Sequence, residues 1–343
     1  MKTSRMKVES RALGSDAAIK AMLERYGRRI DALMAKFLPE AADPYLGAPI
    51  WHHMASGGKR IRPALCLMTC EALGADPARA LHFALAVEVL HNMFLVHDDV
   101  EDGDRVRRDR PTVWVRYGVP NAINVGDFLL ARAYSIVMAS RLPDETVLRL
   151  MRIFSDTCEE TIRGQALDIA SRAAANFNVP AYLKMAERKT GRYLVLGMVG
   201  GAIIAGASQK LVDSIWSLGR TLGPAFQIRD DIIDLTAGKG RGGEIGCDIK
   251  EGKASIMYAR ALETCAKADR ARLLAVMAKP REMTTAKDVR WVIALYHRIG
   301  AIEFAQNCAD RLVQRALRVI ETMPGAGKEK LQAIAHFLVQ RTG

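Results

Sequence analysis

Two aspartate clusters are the residues in this chain best placed to do chemistry. One reads Asp98-Asp99-Val100-Glu101-Asp102 and the other Asp230-Asp231-Ile232-Ile233-Asp234, so both have the form Asp-Asp-x-x-Asp. Residues four apart lie one turn along the same helix face. Asp98 and Asp102 therefore point one way, and so do Asp230 and Asp234. Each cluster follows a long apolar stretch, where a carboxylate is costly to desolvate without a counter-charge. Two such pairs suggest one cavity that holds divalent metal ions. A hard ion such as Mg2+ takes oxygen ligands, keeps several waters and bridges one or two carboxylates to substrate phosphates. Zinc would call for His or Cys at ligand spacing, which is absent. The expected ligand is a phosphorylated substrate bridged through Mg2+.

Basic residues accompany both clusters. Lys59 and Arg62 follow a Gly57-Gly58 break, Arg107 and Arg108 trail the first cluster, and Lys253 ends a glycine-rich stretch after the second. Arg suits bidentate phosphate contacts and Lys acts as a point charge.

The elements that must position these groups read as helices. Aromatics are few, Ala, Leu, Met and Arg are many, and period-two alternation is nearly lacking, so strands are not expected. Helices are predicted over 17–37, through Ala72 after Pro63, from Asp76-Pro77 through Val96, and over 121–141, 144–174, 179–205 and 208–235. Asp76 is the expected N-cap, with Pro77 in the first helical position. Gly197, Gly200 and Gly201 suggest close helix packing. Residues 107–120 and 237–252 read as loops, and helices resume to the C-terminus. Residues 1–16 read as a polar tail and 17–343 as one all-α domain.

The chain has 343 residues, half of them hydrophobic, and a formal net charge of +12. Its Lys and Arg are spread along the chain without a nucleic-acid motif, so no nucleic-acid partner is expected. No run of 18 apolar residues is free of charge, so no transmembrane segment is expected either. The N-terminus lacks the apolar core of a signal peptide. Cys66, Cys70, Cys158, Cys247, Cys265 and Cys308 are scattered and read as reduced thiols of a cytoplasmic protein.

Taken in order, several segments resemble the trans-polyprenyl diphosphate synthase family. Gly57-Gly58-Lys59-Arg60-Ile61-Arg62-Pro63 is similar to its Gly-Gly-Lys-x-x-Arg-Pro segment. His91 through Asp102, with Arg107-Arg108, resembles its first aspartate-rich motif. Gly164 to Asp168, Lys189-Thr190-Gly191, Phe226 to Asp234 and Gly246 to Lys253 match further segments. The resemblance implies the isoprenoid synthase type I fold, an all-α bundle around a central cavity, and a cytoplasmic homodimer. It implies that Asp98, Asp102, Asp230 and Asp234 bind Mg2+, about three ions per site, with Asp99 and Asp231 completing the catalytic clusters. Arg107, Lys189, Thr190, Gln227 and Lys253 would contact an allylic diphosphate. Lys59, Arg62, His91 and Arg108 would hold isopentenyl diphosphate. The implied product is a short trans-prenyl diphosphate, geranylgeranyl (C20) or alternatively farnesyl (C15). A non-catalytic subunit would normally lose an aspartate motif, and a terpene cyclase would replace the second. This chain keeps both.

Two departures stand out. Asp109 replaces the family's usual Gly after the arginine pair, and Gly242-Gly243 replaces a Gly-Lys, leaving Lys239 or Arg241 to substitute. The helix below Asp98 is the expected wall for the growing chain. At about 5.4 Å per turn, Phe94 lies one turn below, Met93 beside it, and Leu90 two turns below, so bulk there favours an early stop.

Overall fold

The computed structural model describes residues 16–41, 43–236, 245–324 and 327–341. In chain order its α-helices are α1 Asp16–Phe37, α2 Gly47–Met54, α3 Ile61–Ala72, α4 Leu81–Glu101, α5 Val113–Tyr117, α6 Val119–Met138, α7 Asp144–Ser171 and α8 Val179–Ala186. They continue as α9 Arg192–Ile204, α10 Gln209–Thr236, α11 Cys247–Lys250, α12 Ile256–Thr264, α13 Lys267–Met277, α14 Ala286–Arg298, α15 Ala301–Glu321 and α16 Lys328–Arg341. Packing divides the chain into two units. Among the described residues, one comprises the chain from Asp16 to Asp156 with Val195–Ser217 and Arg318–Arg341; the other comprises Thr157–Leu194 and Leu218–Leu317.

In the first unit α4 is buried on nearly every side, from Phe83 through Leu90, at Asn92 to Phe94, and at Val96 and Asp99. A helix apolar all round belongs in a core. As read from the sequence, the Asp76 side chain caps its start by accepting from the Ala78 N–H, with Pro77 next. Those residues form a short 3-10 turn, Pro77–Ala80, that runs into α4. Pro77–Glu101 is long and apolar enough to cross a membrane, but about two thirds of that window is buried within the protein, as in a core helix. The glycines of α9 meet α3 as expected. A Cβ on Gly197 would lie 2.4 Å from the Arg62 carbonyl oxygen, and one on Gly201 2.3 Å from that of Cys66. Five of the cysteines are buried, and all six are free thiols.

The second unit has its own core. Tyr182, Met185, Ile228, Ile256, Tyr258, Leu273, Val292, Leu295, Tyr296 and Ala305 are among its buried members. Three of its helices start on side-chain caps: Asn178 for α8, Ser255 for α12, and a Thr285–Asp288 capping box for α14.

Three expectations need correction. The segment 107–120 is not a plain loop. Val106–Arg107 pairs antiparallel with Arg110–Pro111 (β1 and β2), and α5 and the start of α6 follow. The helix expected over 179–205 is interrupted by a π turn at Glu187–Gly191. The loop expected over 237–252 contains α11, a single helical turn. The tail up to residue 15, and Lys239, Arg241 and Gly242-Gly243, lie outside the described residues.

Candidate active site

In the first unit Asp98 lies on the last turn of α4 and Asp102 is its C-cap, with the Asp102 N–H donating to the Asp98 carbonyl at 2.8 Å. Asp102 is buried and Asp98 is half-buried. The pair thus shares a face, as its spacing requires. Asp99 does something different. It is 1% exposed, and its Oδ1 accepts from Arg107 Nε at 2.7 Å and Nη2 at 2.6 Å. Burial opposes the Arg107 charge, but Asp99, with Asp98 and Asp104, overcomes it and raises the guanidinium pKa above its ordinary value. Asp99 therefore fixes the arginine that the sequence assigned to the allylic diphosphate.

Arg107 is on β1, and the turn to β2 is Arg108-Asp109. Both residues have positive φ, 50° and 61°. A two-residue hairpin turn with both central residues left-handed matches the right-handed twist of the flanking strands. This accounts for Asp109. The position is one where Gly is ordinary, and Asp is among the few side chains that tolerate it.

The turn delivers Arg108 to Gly57, whose carbonyl accepts from Arg108 Nη1. Here the first unit has a cavity of about 560 Å3. Lys59, Arg62, His91 and Arg108 line it, together with Glu88 and the Gly58–Ile61 segment. All four residues expected to hold isopentenyl diphosphate thus come together, although they derive from three separate segments. Arg62 Nη1 lies 3.4 Å from His91 Nε2. Burial, and then the guanidinium groups of Arg62, Arg108 and Arg107, push the His91 pKa well below its ordinary value. His91 is neutral and accepts from Arg62. Phe94, Met93 and Leu90 are all buried in α4 beneath Asp98.

In the second unit Asp230, Asp231 and Asp234 end α10. Asp231 is the counterpart of Asp99: it is 2% exposed and held on both oxygens. Tyr182 Oη donates to Oδ2 at 2.7 Å and Gln227 Nε2 to Oδ1 at 3.0 Å. Gln227 Oε1 in turn accepts from Thr190 Oγ1 at 3.4 Å, so Thr190, Gln227 and Asp231 form one chain. Asp234 is fully buried and its Oδ2 accepts from the Asp248 N–H at 3.1 Å. It thereby binds the first turn of α11. Arg229, next to Asp230, ties α10 to α15 through Asp310 at 2.7 Å.

Lys189 and Thr190 sit on the π turn. Extra-wide turns of this kind often mark functional sites, because they displace side chains from the regular ladder. Two glycines admit it. A Cβ on Gly164 would lie 2.3 Å from the Lys189 nitrogen, and one on Gly223 2.4 Å from the Gly191 Cα. Lys189 Nζ donates to Asp168 Oδ2 at 2.6 Å. Lys253 Nζ lies 3.8 Å from Asp248 Oδ1, and both are buried. Arg107, Lys189 and Lys253 are thus each held by a buried carboxylate, which orients the cation and leaves a multi-donor head for further bonds.

Sequence reasoning missed Arg60, Glu88, Asp168, Tyr182 and Asp248. The signal for Glu88 was its position one turn before His91 on the same face. Arg60, Asp168 and Asp248 lie inside segments that resemble the family but were given no role, and Tyr182 carries no such mark.

The two outer pairs offer only carboxylate oxygens, the donor chemistry that Mg2+ prefers. Among the described residues no three His, Cys, Asp or Glu side chains converge closely enough to cage a metal. Carboxylate pairs of this kind suit a hard ion that keeps waters and takes phosphate oxygens.

Comparison with known proteins decides the family. The polyprenyl synthetase family model matches residues 43–296. The chain belongs to this family. A short chain isoprenyl diphosphate synthase of Methanothermobacter thermautotrophicus is 32% identical over 324 residues, covering 93% of this chain and 98% of the relative. A geranylgeranyl pyrophosphate synthase of Geoglobus acetivorans is also 32% identical, over 94% of this chain and 98% of its own. The crystal structure of geranylgeranyl pyrophosphate synthetase from Pyrococcus horikoshii matches with a TM-score of 0.84 and 31% identity, covering 95% of this chain and 99% of that one. The polyprenyl synthetase chain thus has the all-α isoprenoid synthase fold expected from its motifs.

Proposed function

We propose that this polyprenyl synthetase is a Mg2+-dependent trans-prenyltransferase that condenses isopentenyl diphosphate with an allylic diphosphate, yielding geranylgeranyl diphosphate. The observation that carries the reading is the cavity lined by Lys59, Arg62, His91 and Arg108. Three cations and a neutral imidazole around about 560 Å3 suit a small diphosphate.

In this reading the allylic diphosphate is gripped by Arg107, Lys189, Thr190, Gln227 and Lys253. Asp98, Asp102, Asp230 and Asp234 hold Mg2+, which when bound stabilises the charge that builds on the departing diphosphate. Asp99, Asp168 and Asp248 keep Arg107, Lys189 and Lys253 aimed, so little reorganisation is needed as the bond breaks. Lys59, Arg62, His91 and Arg108 fix the isopentenyl group so that its double bond meets the allylic cation. The proton lost afterwards goes to the departed diphosphate, and no protein base is assigned.

We further propose that residues 17–343 act as one catalytic domain. Free thiols suit a reducing, cytoplasmic setting. Val119, Ile123 and Met138 of α6 are exposed apolar side chains that a second copy would cover in a homodimer.

The test is elongation by purified protein supplied with Mg2+, isopentenyl diphosphate and dimethylallyl, geranyl or farnesyl diphosphate, with and without EDTA. A C20 product that EDTA abolishes is expected. Failure on every primer would overturn the enzyme reading, and activity indifferent to EDTA would overturn the metal reading. Product length has its own check. Phe94→Ala opens a buried position one turn below Asp98 and is expected to shift chromatographed products beyond C20. An unchanged product would remove Phe94 as the wall.

A further inference from the structure

We propose that Arg60 is a positioning residue for isopentenyl diphosphate: by bridging Asp31 and Glu88 it fixes the Gly57–Lys59 turn against the helix that carries His91. The inference rests on the reading of the 560 Å3 cavity as the isopentenyl diphosphate site. Arg60 lies between Lys59 and Arg62 in sequence, yet its charge goes elsewhere. Its Nε donates to Asp31 Oδ1 of α1 at 2.8 Å, and its Nη1 to Glu88 Oε1 of α4 at 2.9 Å. The side chain is 8% exposed, and Glu88 is 3% exposed. Burial opposes the Arg60 charge, but Glu88 and Asp31 overcome it, so the guanidinium keeps its proton.

The backbone at this point needs holding. Arg60 has φ +45° and caps the start of α3, and Gly57 and Gly58 before it have φ +80° and +149°. L side chains rarely adopt the Arg60 conformation. No Arg60 side chain caps the helix directly. There is also open space beside it. Besides the isopentenyl cavity, a second cavity of about 380 Å3 borders the same Gly58-Lys59-Arg60 stretch and is also lined by Glu24, Arg28 and Asp31 of α1. A strained segment bordered by two cavities stays put only where it is anchored. Arg60 supplies anchors to both neighbouring helices, and Arg108 supplies one at the Gly57 carbonyl.

The α4 anchor is itself built. Glu88 Oε1 also accepts from Asn92 Nδ2 at 3.3 Å, and Asn92 Oδ1 accepts from His53 Nε2 at 3.1 Å. His91 stands three residues after Glu88 on the same face. The planar fork of Arg can address two carboxylates at once, which the single ammonium of Lys cannot do with the same geometry.

The test is steady-state kinetics on Arg60→Met, alone and combined with Glu88→Gln. Arg60→Met is expected to raise the KM for isopentenyl diphosphate about tenfold or more while the allylic KM stays within about twofold. Its Tm should fall, because Glu88 is left buried without its partner. Glu88→Gln should restore the Tm in the double variant and leave the isopentenyl KM high, since the turn still lacks its anchor. If Arg60→Met does not fold, Arg60→Lys is expected to give the same KM split. The proposal is overturned if the KM recovers together with the Tm, if both KM values rise in parallel, or if the KM does not move. Wild-type protein that elongates no primer would remove both this inference and the functional reading. Wild-type elongation with an unmoved Arg60→Met KM would remove this inference alone.

Discussion

Asp98→Asn is expected to lose roughly a thousandfold in turnover, about 4 kcal/mol of transition-state stabilisation, while melting close to the wild-type temperature. Asp99→Asn, one residue along, is expected to behave in the opposite sense. Its first effect is on the fold. Asp99 is buried and holds Arg107 through Nε and Nη2. Breaking a buried pair from one side costs about 3–5 kcal/mol, because the remaining charge is stranded. Asp98 is half-buried at the end of α4, and without metal its carboxylate repels that of Asp102 one turn away. Removing that charge relieves this repulsion, which offsets the lost attraction to Arg107, while Asp99 still holds Arg107, so stability is spared while the metal site is lost. Thermal melting separates the cases further. Mg2+ with inorganic diphosphate should raise the wild-type Tm by mass action, should not raise that of Asp98→Asn, and should still raise that of Asp99→Asn from its lower baseline. Equal Tm losses in the two variants, with the ligand-induced rise kept in both, would remove the division between outer and middle aspartates.

That division marks the limit of what the residue order discloses. The spacing of Asp98 with Asp102, and of Asp230 with Asp234, is a local property of a helix, so it is legible. So is the Asp76-Pro77 start, because a cap and a fixed φ act on adjacent residues. Lys59, Arg62, His91 and Arg108 were named together through the family motifs, and these four residues line one cavity. The middle aspartates were not legible as holding residues. Asp231 is held by Tyr182, 49 residues earlier, and nothing local distinguishes a carboxylate that accepts a phenol from one that meets a metal. Arg60 hides for the same reason, since Glu88 is 28 residues away. The π turn escaped because apolar residues continue on either side of Glu187–Gly191, and one extra residue per turn barely disturbs the pattern. The β1–β2 hairpin escaped because two-residue strands are too short to show alternation. Its signal lay in the turn, where Asp109 stands in for glycine.

Gly164→Ala is expected to raise the KM for the allylic diphosphate about tenfold or more, through a methyl group that touches no substrate. The added Cβ would meet the backbone of the π turn, 2.3 Å from the Lys189 nitrogen and 2.5 Å from its Cα. Non-bonded Cβ contacts essentially never come this close, and the obstacle is main chain rather than a flexible side-chain tip. Either α7 or the π turn must move. Overpacking of this kind costs about 1–3 kcal/mol, and here the strain falls on the turn that carries Lys189 and Thr190. Lys189 would leave its 2.6 Å contact with Asp168, and the Thr190–Gln227–Asp231 chain would lose its first link. Gly223→Ala attacks the same turn from α10, where its Cβ would lie 2.4 Å from the Gly191 Cα. The two variants should therefore share one signature: a raised allylic KM, an isopentenyl KM within about twofold of wild type, and a lowered Tm. Kinetics with each substrate varied in turn reads this directly. A fall in Tm with both KM values unchanged would mean that the π turn is a packing feature and does not aim Lys189. An isopentenyl-selective effect would place the error in the assignment of Lys189 and Thr190 to the allylic diphosphate.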